Sequence, residues 1–143
     1  MLFPKKVKHR KWQTGRKSPE ALLSTKATRG TKIQFGSFAL RATSPARVKS
    51  NQIEAARKVV SRTVGKLGRY WIRLFPDRPI TAKPAEVGMG KGKGDPQGFC
   101  FEVEPGRIMF EVDGVPEAVA REALRKAGWK LPVTVRIISR NDM

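Results

Sequence analysis

Phe99-Cys100-Phe101-Glu102-Val103-Glu104-Pro105-Gly106-Arg107-Ile108-Met109-Phe110-Glu111-Val112 is the stretch on which the fold turns. Phe99, Phe101 and Val103 alternate with Cys100, Glu102 and Glu104. After Pro105-Gly106, Ile108, Phe110 and Val112 alternate with Arg107, Met109 and Glu111. A period of two puts alternate side chains on opposite faces, so this pattern predicts a β-hairpin with one buried face. Glu102, Glu104, Glu111 and Asp113 then fall on outward positions beside Arg107. They read as solvated strand residues and not as acid/base catalysts, because nothing in the sequence desolvates them.

Toward the C-terminus, Pro116 suits the first position of a helix that runs to Ala127, with Gly128 as its stop. Val119, Ala123, Leu124 and Ala127 form the inward stripe, and Glu117–Arg121 and Glu122–Lys126 are favourable i,i+4 pairs. Val133 to Ile138 supplies a last strand, and residues 139–143 are expected to fray as a tail.

Toward the N-terminus, Arg69 to Phe75 reads as a strand with Trp71, Arg73 and Phe75 on one face and Tyr70, Ile72 and Leu74 on the other. An earlier helix is capped by Asn51 with Glu54 three residues on, and Ile53, Ala56, Val60 and Val64 make its core stripe. Gly65 or Gly68 ends it. In Lys32 to Arg41, Ile33 and Phe35, then Phe38 and Leu40, predict two short strand segments broken by a bend or bulge at Gly36-Ser37, with these apolar residues in the core. The expected architecture is α+β. A mixed or antiparallel sheet carries two packed helices in a single domain over residues 31–138, with a basic extension at 1–30 and a projecting loop at 76–96.

The charge is the unusual quantity. The 143 residues hold 30 Lys and Arg against 12 Asp and Glu, a net +18. Residues 1–94 carry 23 basic and 4 acidic groups, whereas residues 95–143 carry 7 and 8. Self-repulsion on that scale is tolerated where phosphates neutralise it, and the asymmetry reads as a balanced globular half joined to a half committed to a polyanion.

Three segments concentrate that charge. Residues 1–30 hold Lys5, Lys6, Lys8, Arg10, Lys11, Arg16 and Lys17 among their cations, with only Glu20 opposing and Trp12 interleaved. Such a segment cannot bury enough surface to fold alone; it is expected to order along RNA or DNA, with Trp12 stacking on a base. On the first helix, Lys58, Arg62 and Lys66 recur every four residues, and a row of like charges weakens a helix unless phosphate lies against it. Arg57, Arg69 and Arg73 complete the expected RNA-facing set. The third segment is Met89-Gly90-Lys91-Gly92-Lys93-Gly94, where alternate glycines forbid regular structure. Pro76, Pro79 and Pro84 lead rigidly into it, so a soft lysine-tipped loop is expected to order on a polyanion. A solubilising tail, a solvated helix face and a flexible loop would share these compositions.

Other classes fit poorly. One Cys100 allows no internal disulfide, and with the lone His9 leaves no zinc set, so neither metal nor cofactor is expected. The beginning lacks the apolar region of a secretory signal and is read as mature protein. No run of about eighteen apolar residues and no basic amphipathic helix with an aromatic face points to a membrane. The glycine loop satisfies neither a phosphate-binding Gly-x4-Gly-Lys-Ser/Thr order nor Gly-x-Gly-x-x-Gly, since Lys93 stands where the last glycine belongs. With no Ser/His/Asp set, an enzyme is not expected. Nucleic acid is the leading partner, and a DNA-binding architectural protein is the competing reading.

Phe35-Gly-Ser-Phe-Ala-Leu40, Gln52-Ile-Glu-Ala-Ala-Arg57, Trp71-Ile-Arg-Leu-Phe-Pro-Asp-Arg-Pro-Ile-Thr81, Met89-Gly-Lys-Gly-Lys-Gly94 and Asp113-Gly-Val-Pro-Glu117 with Ala120-Arg-Glu-Ala123 together resemble bacterial large-subunit ribosomal protein sixteen. The likeness holds in order and spacing from residue 2 to 132. It implies a cytoplasmic ribosomal protein that binds large-subunit ribosomal RNA near the central protuberance and the tRNA cleft, with neighbouring ribosomal proteins as further partners. It also implies a part in late subunit assembly and in shaping the aminoacyl-tRNA site, and carries the functional-core loop onto Met89, Gly90, Lys91, Gly92, Lys93 and Gly94, near A-site or P-site tRNA. Family members commonly place Arg, hydroxylated in some bacteria, immediately before the Met of that loop. Gly88 stands there in this chain, so that modification is not expected. Lys17 to Thr28 is the poorest match.

Overall fold

Ile108 to Asp113 forms a strand buried on both faces, and the rest of the molecule is arranged around it. A computed structural model describes residues 1–142 of the chain. In chain order its elements are α1 (Pro19–Ser24), β1 (Phe38–Ala42), β2 (Ala46–Lys49), α2 (Ser50–Val64), β3 (Arg69–Ile72), β4 (Arg78–Ala82), β5 (Asp95–Val103), β6 (Ile108–Asp113), α3 (Glu117–Gly128) and β7 (Val135–Ser139), followed by a 3-10 turn, Arg140–Asp142. The strands make two sheets, one in the order β3-β6-β1-β7 and one in the order β2-β5-β4. All the pairings are antiparallel. The α+β class expected from the sequence is therefore found, with two sheets and three helices.

The expected hairpin is corrected. β5 pairs with β2 and β4, and β6 pairs with β3 and β1, so the Pro105-Gly106 turn carries the chain from one sheet to the other. Alternation specifies that a strand has two faces; it does not specify the neighbour. A bulge at Met109 also changes the phase. Arg41 pairs with Ile108 and Leu40 with Phe110, leaving Met109 as the extra residue. Met109, Phe110 and Val112 therefore face the main core, while Ile108 joins Ile33, Ala39 and Ile138 in a second cluster. Cys100 and Glu111, expected on outward positions, are fully buried.

The main core lies between the four-stranded sheet and the helices. Leu40, Ile53, Val60, Phe110, Val112 and Leu124 are among its fully buried side chains. Burial of each such chain contributes roughly 1.5–3 kcal/mol before entropy is counted. The predicted stripe of α2 (Ile53, Ala56, Val60, Val64) is buried as expected. Its cap is shifted: Lys49 is the N-cap, and Gln52 Oε1 accepts from the Lys49 backbone N–H at 2.9 Å, in place of the expected Asn51 and Glu54. Gly65, at φ 73°, ends the helix. In α3 the buried stripe is Ala120, Ala123, Leu124, Ala127 and Gly128, with Val119 only half-buried. Gly128 is within the helix because a Cβ there would lie 2.7 Å from Val135 Cγ2, so close packing on β7 explains it better than a stop.

Ile33 to Gly36 is not a strand. Its backbone N–H groups are engaged elsewhere, with Gln34 donating to Glu111 Oε1 and Phe35 and Gly36 donating to Glu111 Oε2 at 2.8–3.1 Å. Gly36 also lies so close to β6 that a Cβ would approach Val112 O to 2.7 Å. β3 stops at Ile72, short of the expected Phe75, although Arg73 N–H still donates to Met109 O at 2.8 Å. Of the residues expected to fray, Ser139 closes β7 and the Arg140 guanidinium donates to the carbonyls of Gln34 and Gly36; Met143 lies outside the described residues.

Candidate nucleic-acid interface

Residues 1–18 form no helix or strand, yet they lie on the domain at identifiable points. Leu2 packs against the main core. Lys11 Nζ donates to Lys93 O at 3.2 Å, and Lys93 Nζ donates to Trp12 O. The first basic segment and the glycine loop, separated by some eighty residues in sequence, thus meet. Arg78 holds the next turn of chain: it donates to Thr14 Oγ1 at 2.6 Å and to Glu102 Oε1 at 2.5 Å, and its guanidinium lies 5.9 Å from the centre of the Trp12 ring. Sequence reasoning missed Arg78, which is itself buried; nothing in a Pro-Asp-Arg-Pro turn distinguishes a clamp from a solvated cation.

Lys5, Lys6, Lys8, Arg10, Arg16 and Lys17 are exposed, with Lys11 half-buried. None makes an ion pair within 4 Å among the described residues. The same holds for Lys58 and Arg62 on the exposed face of α2, for Lys66, which lies past Gly65 and so beyond the helix on which it was expected, and for Arg69 at the start of β3. Like charges in such a row gain nothing from one another, so their free energy falls when an anion lies across them.

Two of the expected cations are engaged within the fold. Arg73 is 14% exposed at its side chain and is bound to Glu111 at 2.8 Å. Arg57 is clamped by Glu54 and donates to Tyr70 Oη at 3.3 Å. Those hydrogen bonds, the one to Glu54 foremost, raise the Arg57 guanidinium above its ordinary value; accepting from Arg57 holds the Glu54 carboxyl below its own. Neither arginine is free in the way that Arg69 is. Sequence could not separate them, because the carboxylate that binds Arg73 arrives from residue 111.

The glycine loop is exposed at Met89, Gly90, Lys91, Gly92 and Lys93, with Met89 at 97%. Gly90 and Gly92 take φ near +100°, and Lys91, at φ 59°, is the one non-glycine with positive φ among the described residues. Lys83 Nζ closes the loop onto Gly90 O. Gly94 packs against the Ala82 carbonyl, where a Cβ would lie 2.7 Å from the oxygen.

A second feature was not legible as a site. Phe35, expected in the core, is 52% exposed; its ring stacks on Trp71 at 5.9 Å and 21°, with the Arg73 guanidinium 5.3 Å from its centroid. Arg107, just before β6, donates to Arg73 O at 2.8 Å and lies 5.0 Å from the Phe101 ring. Burial, with Arg73 beside it, pushes the Arg107 guanidinium below its ordinary value. Among the described residues no cluster of ligands for a metal ion occurs, and no helix is long and apolar enough to cross a membrane.

Fold and charge together define a basic α+β protein with exposed, unpaired cations on several surfaces. The sequence model of ribosomal protein L16p/L10e matches residues 4–138, and the chain belongs to that family. It is thereby a structural protein of the large subunit of the cytoplasmic ribosome, acting in translation.

Proposed function

We propose that this protein binds large-subunit ribosomal RNA through the N-terminal cations, the α2 row and Arg69, and presents Met89 to Gly94 at or near the tRNA site. Residues 31–138 serve as the RNA-binding domain, residues 1–30 as an arm along the RNA, and residues 83–94 as the loop that reaches the functional core, shorter than the expected 76–96 because Arg78–Ala82 and Asp95–Val103 are paired strands. Neighbouring large-subunit proteins complete the surroundings. The role is one of positioning: no chemistry is performed, and cations fix folded RNA so that the subunit matures and tRNA is accommodated.

The observation that carries this reading is the meeting of Lys11, Trp12 and Lys93. Each lysine donates to a backbone carbonyl of the other segment, so two exposed, positively charged segments are held side by side without an acidic residue to neutralise them. Membership of the ribosomal family makes RNA the polyanion that fits. Competition tests it. A folded large-subunit ribosomal RNA fragment should displace the protein from duplex DNA at equal salt, and log affinity should fall linearly with log salt. Equal affinity for both would favour an architectural DNA-binding protein and remove the RNA reading.

A further inference from the structure

On the face of the four-stranded sheet turned away from α2 and α3, we propose that Phe35, Trp71 and Phe75 form a stacking platform for one unpaired nucleobase of RNA; this rests on the RNA-binding reading above. Trp71 stands directly opposite Glu111 in the β3–β6 pairing, and Phe75, past the end of β3, lines the same shallow cavity as Phe35, Trp71 and Arg73. Phe35 stacks on Trp71, and the Arg73 guanidinium lies 5.3 Å from its ring centre. Phe35 remains 52% exposed and Phe75 45% exposed.

The platform is fixed before anything binds. The backbone that carries Phe35 is held by Glu111, which accepts the N–H groups of Gln34, Phe35 and Gly36, and Arg73 is held by the same carboxylate. An aromatic ring ordered in this way loses little entropy when a flat ligand is laid on it. The rim is cationic. Lys32 and Arg69 are exposed and make no ion pair among the described residues, and Arg69 precedes Trp71 by two positions, at the same side of the strand. A nucleotide matches both parts: the base takes the ring, and its phosphate takes Lys32 or Arg69. Bases in a continuous duplex are already stacked, so the occupant is a single-stranded or extruded residue.

Affinity of the full-length chain for an adenosine RNA octamer at low salt, and for the same octamer without bases, distinguishes base stacking from phosphate attraction. Phe35→Ala should weaken the intact octamer about tenfold and leave the abasic one unaffected, and Phe35→Trp should restore binding. Phe35→Leu keeps apolar cover but removes the π face, so it should behave as the alanine variant does while melting like the wild type. Unchanged octamer binding in Phe35→Leu, with the wild type still showing normal salt-dependent affinity, overturns the platform and leaves a protein neighbour as its occupant. Absence of RNA binding in the wild type itself overturns the RNA reading and the platform with it.

Discussion

The guanidinium of Arg73 meets the fully buried carboxylate of Glu111 at 2.8 Å, and that carboxylate also accepts three successive backbone N–H groups from Gln34, Phe35 and Gly36. One side chain thus replaces a strand partner for the segment entering β1, fixes the cation beside it and holds Phe35 at the surface. A buried carboxylate is tolerated because charge and hydrogen bonds surround it.

Removing Glu111 should therefore cost more than a typical substitution. Glu111→Ala is expected to lower unfolding free energy by about 3 kcal/mol or more in urea denaturation. Arg73→Ala combined with it should not recover the loss, because three amides would still lack an acceptor. Full recovery in the double variant would show that the ion pair alone mattered.

Lys58, Arg62 and Lys66 replaced together by Ala should leave the melting temperature nearly unchanged, since all three are exposed. The slope of log affinity against log salt for ribosomal RNA should become shallower by about two units. An unaltered slope would take this face of α2 out of the interface.

Lys91 and Lys93 replaced by Ala should preserve the fold, as the loop contributes no buried side chain. Subunit maturation or tRNA accommodation should be impaired, read as accumulated large-subunit precursors on sucrose gradients or slowed translation. Normal profiles and normal translation would count against a working loop.

Acid should weaken the Glu54–Arg57 clamp. The folded carboxyl is held below the ordinary value of 4.5, so its contribution is present above that pH and is lost as pH falls through the lower folded value. Glu54→Gln should flatten this part of the stability profile below the ordinary value of 4.5; an identical acid limb in both proteins would assign the loss to other carboxylates.

Cys100 is fully buried and burial raises its thiol above the ordinary value, so it should react with a thiol reagent at least about a hundredfold more slowly in the native protein than in denaturant. Comparable rates would mean that β5 opens readily.

What the sequence revealed depended on whether the deciding interaction was local. The buried stripe of α2 and the Glu117–Arg121 and Glu122–Lys126 pairs at 2.9 and 3.1 Å follow from residues within one or two turns, and the start of α3 is displaced by one residue, with Pro116 as N-cap where it was expected as the first helical position. The failures involve distant partners. Glu111 looked outward until the 34–36 segment closed over it, and alternation through Met109 broke at a bulge whose register is set by β1. β2 and β4 were missed because Pro45, Pro79 and the short run of apolar residues between charges mask their periodicity, and both are held by β5. For the candidate interface, free cations were legible as charge, but which arginines remain free depends on acids supplied by other strands. Arg69 and Arg73, four residues apart, differ for that reason alone.

Co-sedimentation of the native protein with large ribosomal subunits through a sucrose gradient at moderate salt tests the central claim most directly. The protein should travel with the large subunit and be released only as salt rises well above the physiological range. Migration at the top of the gradient, free of subunits at low and moderate salt alike, would contradict it.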